Sequence, residues 1–194
     1  MSVQKHLVVF AKAPRLGRVK SRLATDIGCI QAWVFYRRTL ETVLQRLQGR
    51  GRWRGWLFVT PDDASGFPSG WTVVPQGFGD LGARMDRPMR CLPPGPVVIV
   101  GTDVPDIRRS HIDQAFRALG SHDAVFGPAT DGGYWLVGLR RRPNVPRVFG
   151  GVRWSSRHAL ADTLANLPRG KTAHLLETLA DVDDARDLAR RGAL

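Results

Sequence analysis

The sequence predicts an α/β fold, a largely parallel but mixed sheet with helices on both faces. Three observations carry this. Short apolar β-type runs recur along the whole chain, and amphipathic stretches with apolar residues three and four apart separate most of them. One pair of runs has only a short Asp-Gly-Gly turn between its members. The first two patterns describe parallel strands joined by crossover helices; the third describes a hairpin-like excursion.

The elements follow in order. His6–Ala11 is the first strand, and a basic segment leads from it toward a helix. Trp33, Tyr36, Leu40, Val43, Leu44 and Leu47 line one helix face, which stops at Gly49. Gly55–Thr60 and Thr72–Pro75 are strands, and the glycine-rich "QGFGDLGARM" (Gln76 to Met85) runs into helical residues. Val97–Gly101 is the fourth strand. A helix opened by Ser110, with Asp113 in a near capping box, places Ile112, Ala115, Phe116 and Leu119 inward and closes at Gly120. Asp123–Pro128 and Tyr134–Leu139 form the excursion, and a helix from Ser155–Ser156 uses Leu160, Leu164 and Leu167 before Pro168 ends it. The acidic "LLETLADVDDARDLARRG" reads as a loop and a short helix capped by Asp183 or Asp184. Pro93–Pro96 and Pro143–Pro146 read as loops, so residues 1–194 are expected to form one domain.

With 43% hydrophobic and 24% charged residues the composition is that of a globular protein. No apolar run approaches the ~20 residues of a membrane span. The run Leu7–Ala11 is too short for a signal peptide and ends at Lys12, so a cytoplasmic protein is expected. Cys29 and Cys91 have no metal-ligand spacing and are expected to be free thiols. The net charge is +12, of which residues 1–60 supply +10, with twelve Lys or Arg against Asp26 and Glu41. A phosphate-bearing partner is implied there. A solvated basic face accounts for Arg37, Arg38, Arg46, Arg50, Arg52 and Arg54, but less well for the cluster from Lys12 to Arg22.

Ligands of open parallel sheets bind beyond the carboxyl ends of the strands, which directs attention to Ala11, Thr60, Gly101 and Pro128. After the first strand, "AKAPRLGRVKSRLA" gathers Lys12, Arg15, Arg18, Lys20 and Arg22 around Pro14 and Gly17. Such a loop either aims cations and backbone N–H groups at phosphates or is a solvated turn. It is neither a Walker A motif nor a dinucleotide fingerprint. Asp103 follows the fourth strand, where one carboxylate plus substrate phosphates would suit magnesium; the alternative is an Asx turn ahead of Pro105. Asp106 is the more structural of that pair. Asp131 lies in an Asp-Gly turn, and Tyr134 with Trp135 could form a floor for a base or sugar. The glycines at 77, 79 and 82 allow close backbone approach to a ligand.

The stretches "VVFAKAPRLGRVKSRLA", "QGFGDLGARM", "VVIVGTDVPDI", "DAVFGPATDGGYWLVGL" and "FGGVRWSSRHAL", in this order, resemble the glycosyltransferase-A-like transferases of the selenodomain-associated type. "VKSRLA" is also similar to 2-phospho-L-lactate guanylyltransferase, and the layout more distantly to the molybdenum cofactor guanylyltransferase. The resemblance implies a nucleotide-diphospho-sugar transferase fold, a Rossmann-like three-layer sandwich. Carried over by residue, Lys12, Pro14, Gly17, Lys20 and Arg22 would bind the nucleotide phosphates. Gln76, Gly77, Gly79, Leu81 and Gly82 would bind the base and ribose. Asp103 would hold Mg²⁺ or Mn²⁺, and Asp131 would be a second ligand or an acceptor-site residue. The Gly-Gly-x-Gly-x-Arg loop of sugar pyrophosphorylases is absent, and a single aspartate stands where many glycosyltransferases carry Asp-x-Asp.

The implied function is metal-dependent transfer of a nucleotidyl or glycosyl group from an NTP or NDP-sugar to a small-molecule acceptor. Lys20, Asp103 and Asp131 are the catalytic candidates. Lys20 would neutralise the leaving diphosphate and the Asp103-bound metal would bridge phosphate oxygens. The basic first loop favours nucleotidyl transfer, the family resemblance glycosyl transfer; His158 is a second candidate base. The alternatives of another class are a nucleic-acid-binding protein and a non-catalytic nucleotide binder. Neither nucleic acid nor membrane is expected as a partner, and the sequence leaves the oligomeric state open.

Overall fold

A computed structural model of the chain describes residues 3–192. Its strands are β1 (His6–Lys12), β2 (Arg54–Thr60), β3 (Thr72–Pro75), β4 (Val97–Val100), β5 (Ala124–Pro128), β6 (Tyr134–Leu139) and β7 (Ala173–Leu175). The helices are α1 (Ser21–Ile27), α2 (Cys29–Leu47), α3 (Leu81–Cys91), α4 (Arg109–Ala118), α5 (Ala159–Ala165) and α6 (Ala185–Arg190). The sheet runs in the order β3-β2-β1-β4-β6-β5-β7. All pairs are parallel except those that β6 makes with β4 and β5. The mixed sheet and the hairpin are thus as the sequence predicts, with β6 inserted between β4 and β5.

Period-two alternation divides the strand side chains between two apolar layers. Leu7, Val9, Leu57, Val59, Val98 and Val100 meet α2 through Tyr36, Leu40, Val43 and Leu44, and α4 through Ile112 and Phe116. Val8, Phe58, Val97, Ile99, Phe126 and Val137 face Met85 and Met89 of α3 and Leu160 and Leu164 of α5. The result is the three-layer α/β sandwich.

Local chemistry sets the boundaries, and four of them differ from expectation. Gly28 (φ +89°) breaks the first helical stretch into α1 and α2. Helix α4 is capped by Arg108, two residues ahead of Ser110, because the Arg108 N–H donates to His111 Nδ1 (3.1 Å); Asp113 instead pairs with Arg52. Helix α5 begins only at Ala159, since Ser155 is left-handed (φ +55°) and Ser156 Oγ donates to the Arg153 carbonyl (2.6 Å). Strand β7, three residues without an apolar run, has no signal in the sequence. Asp80 caps α3 by accepting from Ala83 N (2.8 Å), and Asp184 caps α6.

Candidate active site

The carboxyl ends of β1, β2 and β4 and the amino end of the reversed β6 share one edge of the sheet. A cavity of about 600 Å³ opens there, between α3 and the segment before α5 on one side and the C-terminal tail on the other. At its centre is Lys20, whose side chain is 6% exposed and lies 2.5 Å from Asp103 Oδ1 and 2.9 Å from Asp183 Oδ1. Its backbone is left-handed (φ +49°) at the start of α1, which turns the side chain from the first loop toward β4. Burial alone would lower the ammonium pKa, but Asp103 and Asp183 outweigh it and the net shift is upward.

Tyr36 fixes the end of β1 from below. Its hydroxyl accepts from Lys12 N (3.0 Å), donates to Lys12 O (2.9 Å) and approaches Thr102 Oγ1 at 3.4 Å. Burial pushes its phenol pKa up, so it stays a neutral hydrogen-bonding group. Beside it, buried Gln76 spends both amide hydrogens on the Ala11 (3.2 Å) and Phe58 (3.0 Å) carbonyls, leaving Oε1 toward Arg84 (3.3 Å).

The tail reaches the site by crossing the sheet edge strand by strand. Leu176 N donates to Phe126 O (2.8 Å), Leu179 N to Pro128 O (3.1 Å) and Val182 N to Asp103 O (3.1 Å). Glu177 anchors the crossing: its carboxylate takes His111 Nε2 (2.7 Å) and its carbonyl takes Trp135 Nε1 (3.2 Å). The crossing delivers Asp181 and Asp183 to the cavity. Asp183 therefore serves the ion pair with Lys20, and Asp184 alone caps α6. Burial, then the nearby Asp131 charge, raise the Asp181 carboxyl above the usual range.

Of the residues singled out in the sequence, Lys12, Lys20, Arg22, Gln76, Leu81, Asp103 and Asp131 line the cavity together. Pro14 lies beneath the first loop, its carbonyl taken by Trp33 Nε1, and Gly17 turns that loop (φ +73°). Gly77 and Gly79 shape a loop whose carbonyls at Gln76 and Phe78 are bound by Arg87. At Gly82 a Cβ would lie 2.7 Å from Phe149 O and 2.8 Å from Trp154 Cζ2, so the glycine makes room for Trp154. His158 stands at the head of α5, outside the lining. Asp131 is both turn and lining residue: Oδ1 accepts from Gly133 N (2.8 Å). Tyr134 and Trp135 both line the cavity, but as strand neighbours they do so from opposite faces of the sheet and form no single floor; Tyr134 packs with Phe126 and Trp154, Trp135 with His111. Asp106, expected to be structural, pairs with Arg191.

The basic surplus does not concentrate in the cavity. Arg46 donates to the Pro105 and Ile107 carbonyls, Arg52 pairs with Asp113, Arg37 with Glu41 and Arg15 with Asp63. Lys12, Lys20, Arg22 and Arg84 line the cavity against Asp103, Asp131, Asp181 and Asp183, a balance of charge. Among the described residues no three His, Cys, Asp or Glu side chains are arranged to hold a metal by themselves. The available donors are carboxylate oxygens, which suit a hard cation completed by phosphate oxygens and water.

Residues 42–156 match the family described as "Uncharacterized protein conserved in bacteria (DUF2064)". A candidate nucleotide-diphospho-sugar transferase from Desulfovibrio desulfuricans G20 superposes with a TM-score of 0.86 and 31% identity, over 95% of this chain and 84% of that one. The structure of CMP:2-keto-3-deoxy-manno-octonic acid synthetase complexed with CTP gives a TM-score of 0.59 at 13% identity, over 98% and 97%. Rv0371C of Mycobacterium tuberculosis H37Rv, in complex with manganese, gives 0.51 at 17% identity, over 96% and 97%. No curated protein matches the chain. The fold is that of the nucleotide-diphospho-sugar transferases. Among the described residues no helix is long and apolar enough to cross a membrane.

Proposed function

The chain belongs to the DUF2064 family, and on that premise we propose that it is a divalent-metal-dependent transferase moving a group from a nucleotide donor to a small-molecule acceptor. The observation that carries the reading is Lys20, buried between Asp103 and Asp183 at the mouth of β1 and β4. A buried ammonium held by carboxylates from two distant segments is a costly arrangement for stability alone. It suits a site where diphosphate charge develops and departs.

The charge balance of the cavity argues for the metal. A di- or triphosphate entering a site with as many carboxylates as cations needs a cation of its own. Asp103, with Asp183 across Lys20 from it, would hold Mg²⁺ or Mn²⁺; when bound, the ion screens phosphate charge and stabilises the leaving diphosphate. Lys12 and Arg22 orient the phosphates, and Lys20 takes up leaving-group charge. Gln76 Oε1 and Arg84 offer an acceptor beside a donor to a nucleobase edge. Phosphoryl-type transfer asks little covalent work of the protein, so no nucleophilic triad is required. An NTP and an NDP-sugar share this diphosphate handling. The cations of the first loop support nucleotidyl transfer; the likeness to the Desulfovibrio protein supports a sugar nucleotide.

The test is a thermal-shift panel of NTPs and NDP-sugars with and without Mg²⁺ or Mn²⁺. Metal-dependent stabilisation by at least one nucleotide is expected, abolished in Asp103→Ala without loss of the fold. Absence of any metal-dependent shift in the native protein would falsify the proposal. An Asp103→Ala chain that fails to fold would make Asp103 a structural turn residue.

A further inference from the structure

The cavity is asymmetric in charge. Lys12 and Arg84 lie on its β1–β2 side, and in the middle Lys20 and Arg22 are met by Asp103 and Asp183. At the β6 end Tyr134, Trp154, Leu81 and Met85 form an apolar wall, and the charged groups are Asp131 and Asp181. Among the described residues no lysine or arginine lines that end. Arg153 is held outside it by Asp162 (2.9 and 2.7 Å), and Arg157, whose backbone packs behind Gly132, adds nothing to the lining. From Thr60 on β2 to Tyr134 on β6 the edge spans three strand spacings, about 14 Å. That is room for a nucleotide and a second molecule in line.

We propose that the β6 end is the acceptor subsite and that it takes a hydroxylated, ring-bearing acceptor carrying neither phosphate nor carboxylate. This rests on the transferase reading above. An anionic acceptor would face two carboxylates with no cation to pair with and would be repelled by both. A neutral ring places its carbons against Tyr134 and Trp154, as apolar walls with a few polar groups commonly do. Its hydroxyls meet Asp131, whose Oδ1 is engaged by Gly133 N while Oδ2 is free to accept. In the transfer, the acceptor oxygen bonds to the α-phosphorus of an NTP or the anomeric carbon of an NDP-sugar. Its proton passes to Asp131 Oδ2, and the bond to the departing diphosphate breaks with the electron pair on the diphosphate. The same polarity applies to either donor.

The test uses full-length protein saturated with metal and whichever nucleotide stabilises it. Matched pairs are offered: glucose and glucose 1-phosphate, myo-inositol and its 1-phosphate, and glucose against gluconate. Binding is read by saturation-transfer NMR and turnover by diphosphate release. The expected result is that a neutral member binds and that each phosphate or carboxylate partner is at least tenfold weaker. The Asp131→Asn/Asp181→Asn double variant should narrow that ratio tenfold or more while leaving nucleotide affinity unchanged. Preference for a charged member, no binding of any neutral member, or an unchanged ratio in a folded double variant overturns the acceptor assignment alone. If no nucleotide binds the native protein in the first step, the transferase reading falls and this inference with it.

Discussion

Two segments from opposite ends of the chain meet at Lys20, and they are held there by different means. The first loop, from Lys12 to Arg22, is placed by its covalent position after a central strand and by the Tyr36 hydroxyl beneath it. The tail, from Leu176 to Asp183, follows a three-residue edge strand and is laced to three other parts of the sheet edge by backbone hydrogen bonds. The loop carries the cations and the tail the carboxylates. Half of the candidate site is thus built into the sheet, and half is fastened on by contacts worth about 1 kcal/mol each.

That contrast can be tested by breaking each side. Lys20→Met removes the shared cation and leaves two carboxylates facing each other. Turnover should fall on the order of 10²–10³-fold, the scale of losing one preorganised charge at a departing group. Retention of near-native kcat would end the case for Lys20. The tail-side counterpart, Asp183→Asn, keeps the shape and Asp103, so a smaller loss of about tenfold in kcat/KM is expected. Combining the two should cost little more than Lys20→Met alone, since they act as one unit; additive losses would mean loop and tail work independently.

A gentler probe loosens only the fastening. Glu177→Gln takes the charge off the acceptor of the His111 Nε2–H hydrogen bond but keeps the Trp135 bond to the Glu177 backbone carbonyl. Amide exchange at Leu179 and Val182 should quicken several-fold while exchange in β1 and β4 stays unchanged; uniform quickening would show that tail and sheet open together. The smallest expected effect concerns Asp181. Its raised pKa means that the fold favours the protonated form. The favourable contribution is therefore complete below the unfolded pKa of ~3.9 and is lost as pH rises through the higher folded value. Asp181→Asn should raise Tm at pH 7 by about one degree, an effect that disappears in acid.

The first loop was legible because its chemistry is local: five cations within eleven residues after an apolar strand need no tertiary information. Strands β1 to β6 were legible for the same reason, to within a residue at each end, and only β7 was not. The tail was not. "LADVDDARDL" announces a capped helix, and Asp184 obeys, but nothing in the residues says that Asp183 turns back to a lysine 163 positions away. The bonds that route it belong to backbone groups every sequence has. Gly82 shows the converse limit. Its place in a glycine-rich stretch suggests ligand contact, whereas only the packing of Trp154 across the first turn of α3 reveals why a side chain is excluded.

The left-handed backbone of Lys20 bears on how this protein can be engineered. An L-residue in that conformation costs roughly 1–2 kcal/mol, which glycine largely avoids. Lys20→Gly would relieve that backbone but leave Asp103 and Asp183 facing each other without their cation, and the upward shift of the ammonium shows that the pairing stabilises the fold. A library selected for heat resistance should therefore keep lysine at this codon, because the ion pair that serves the site also offsets the strain of its backbone.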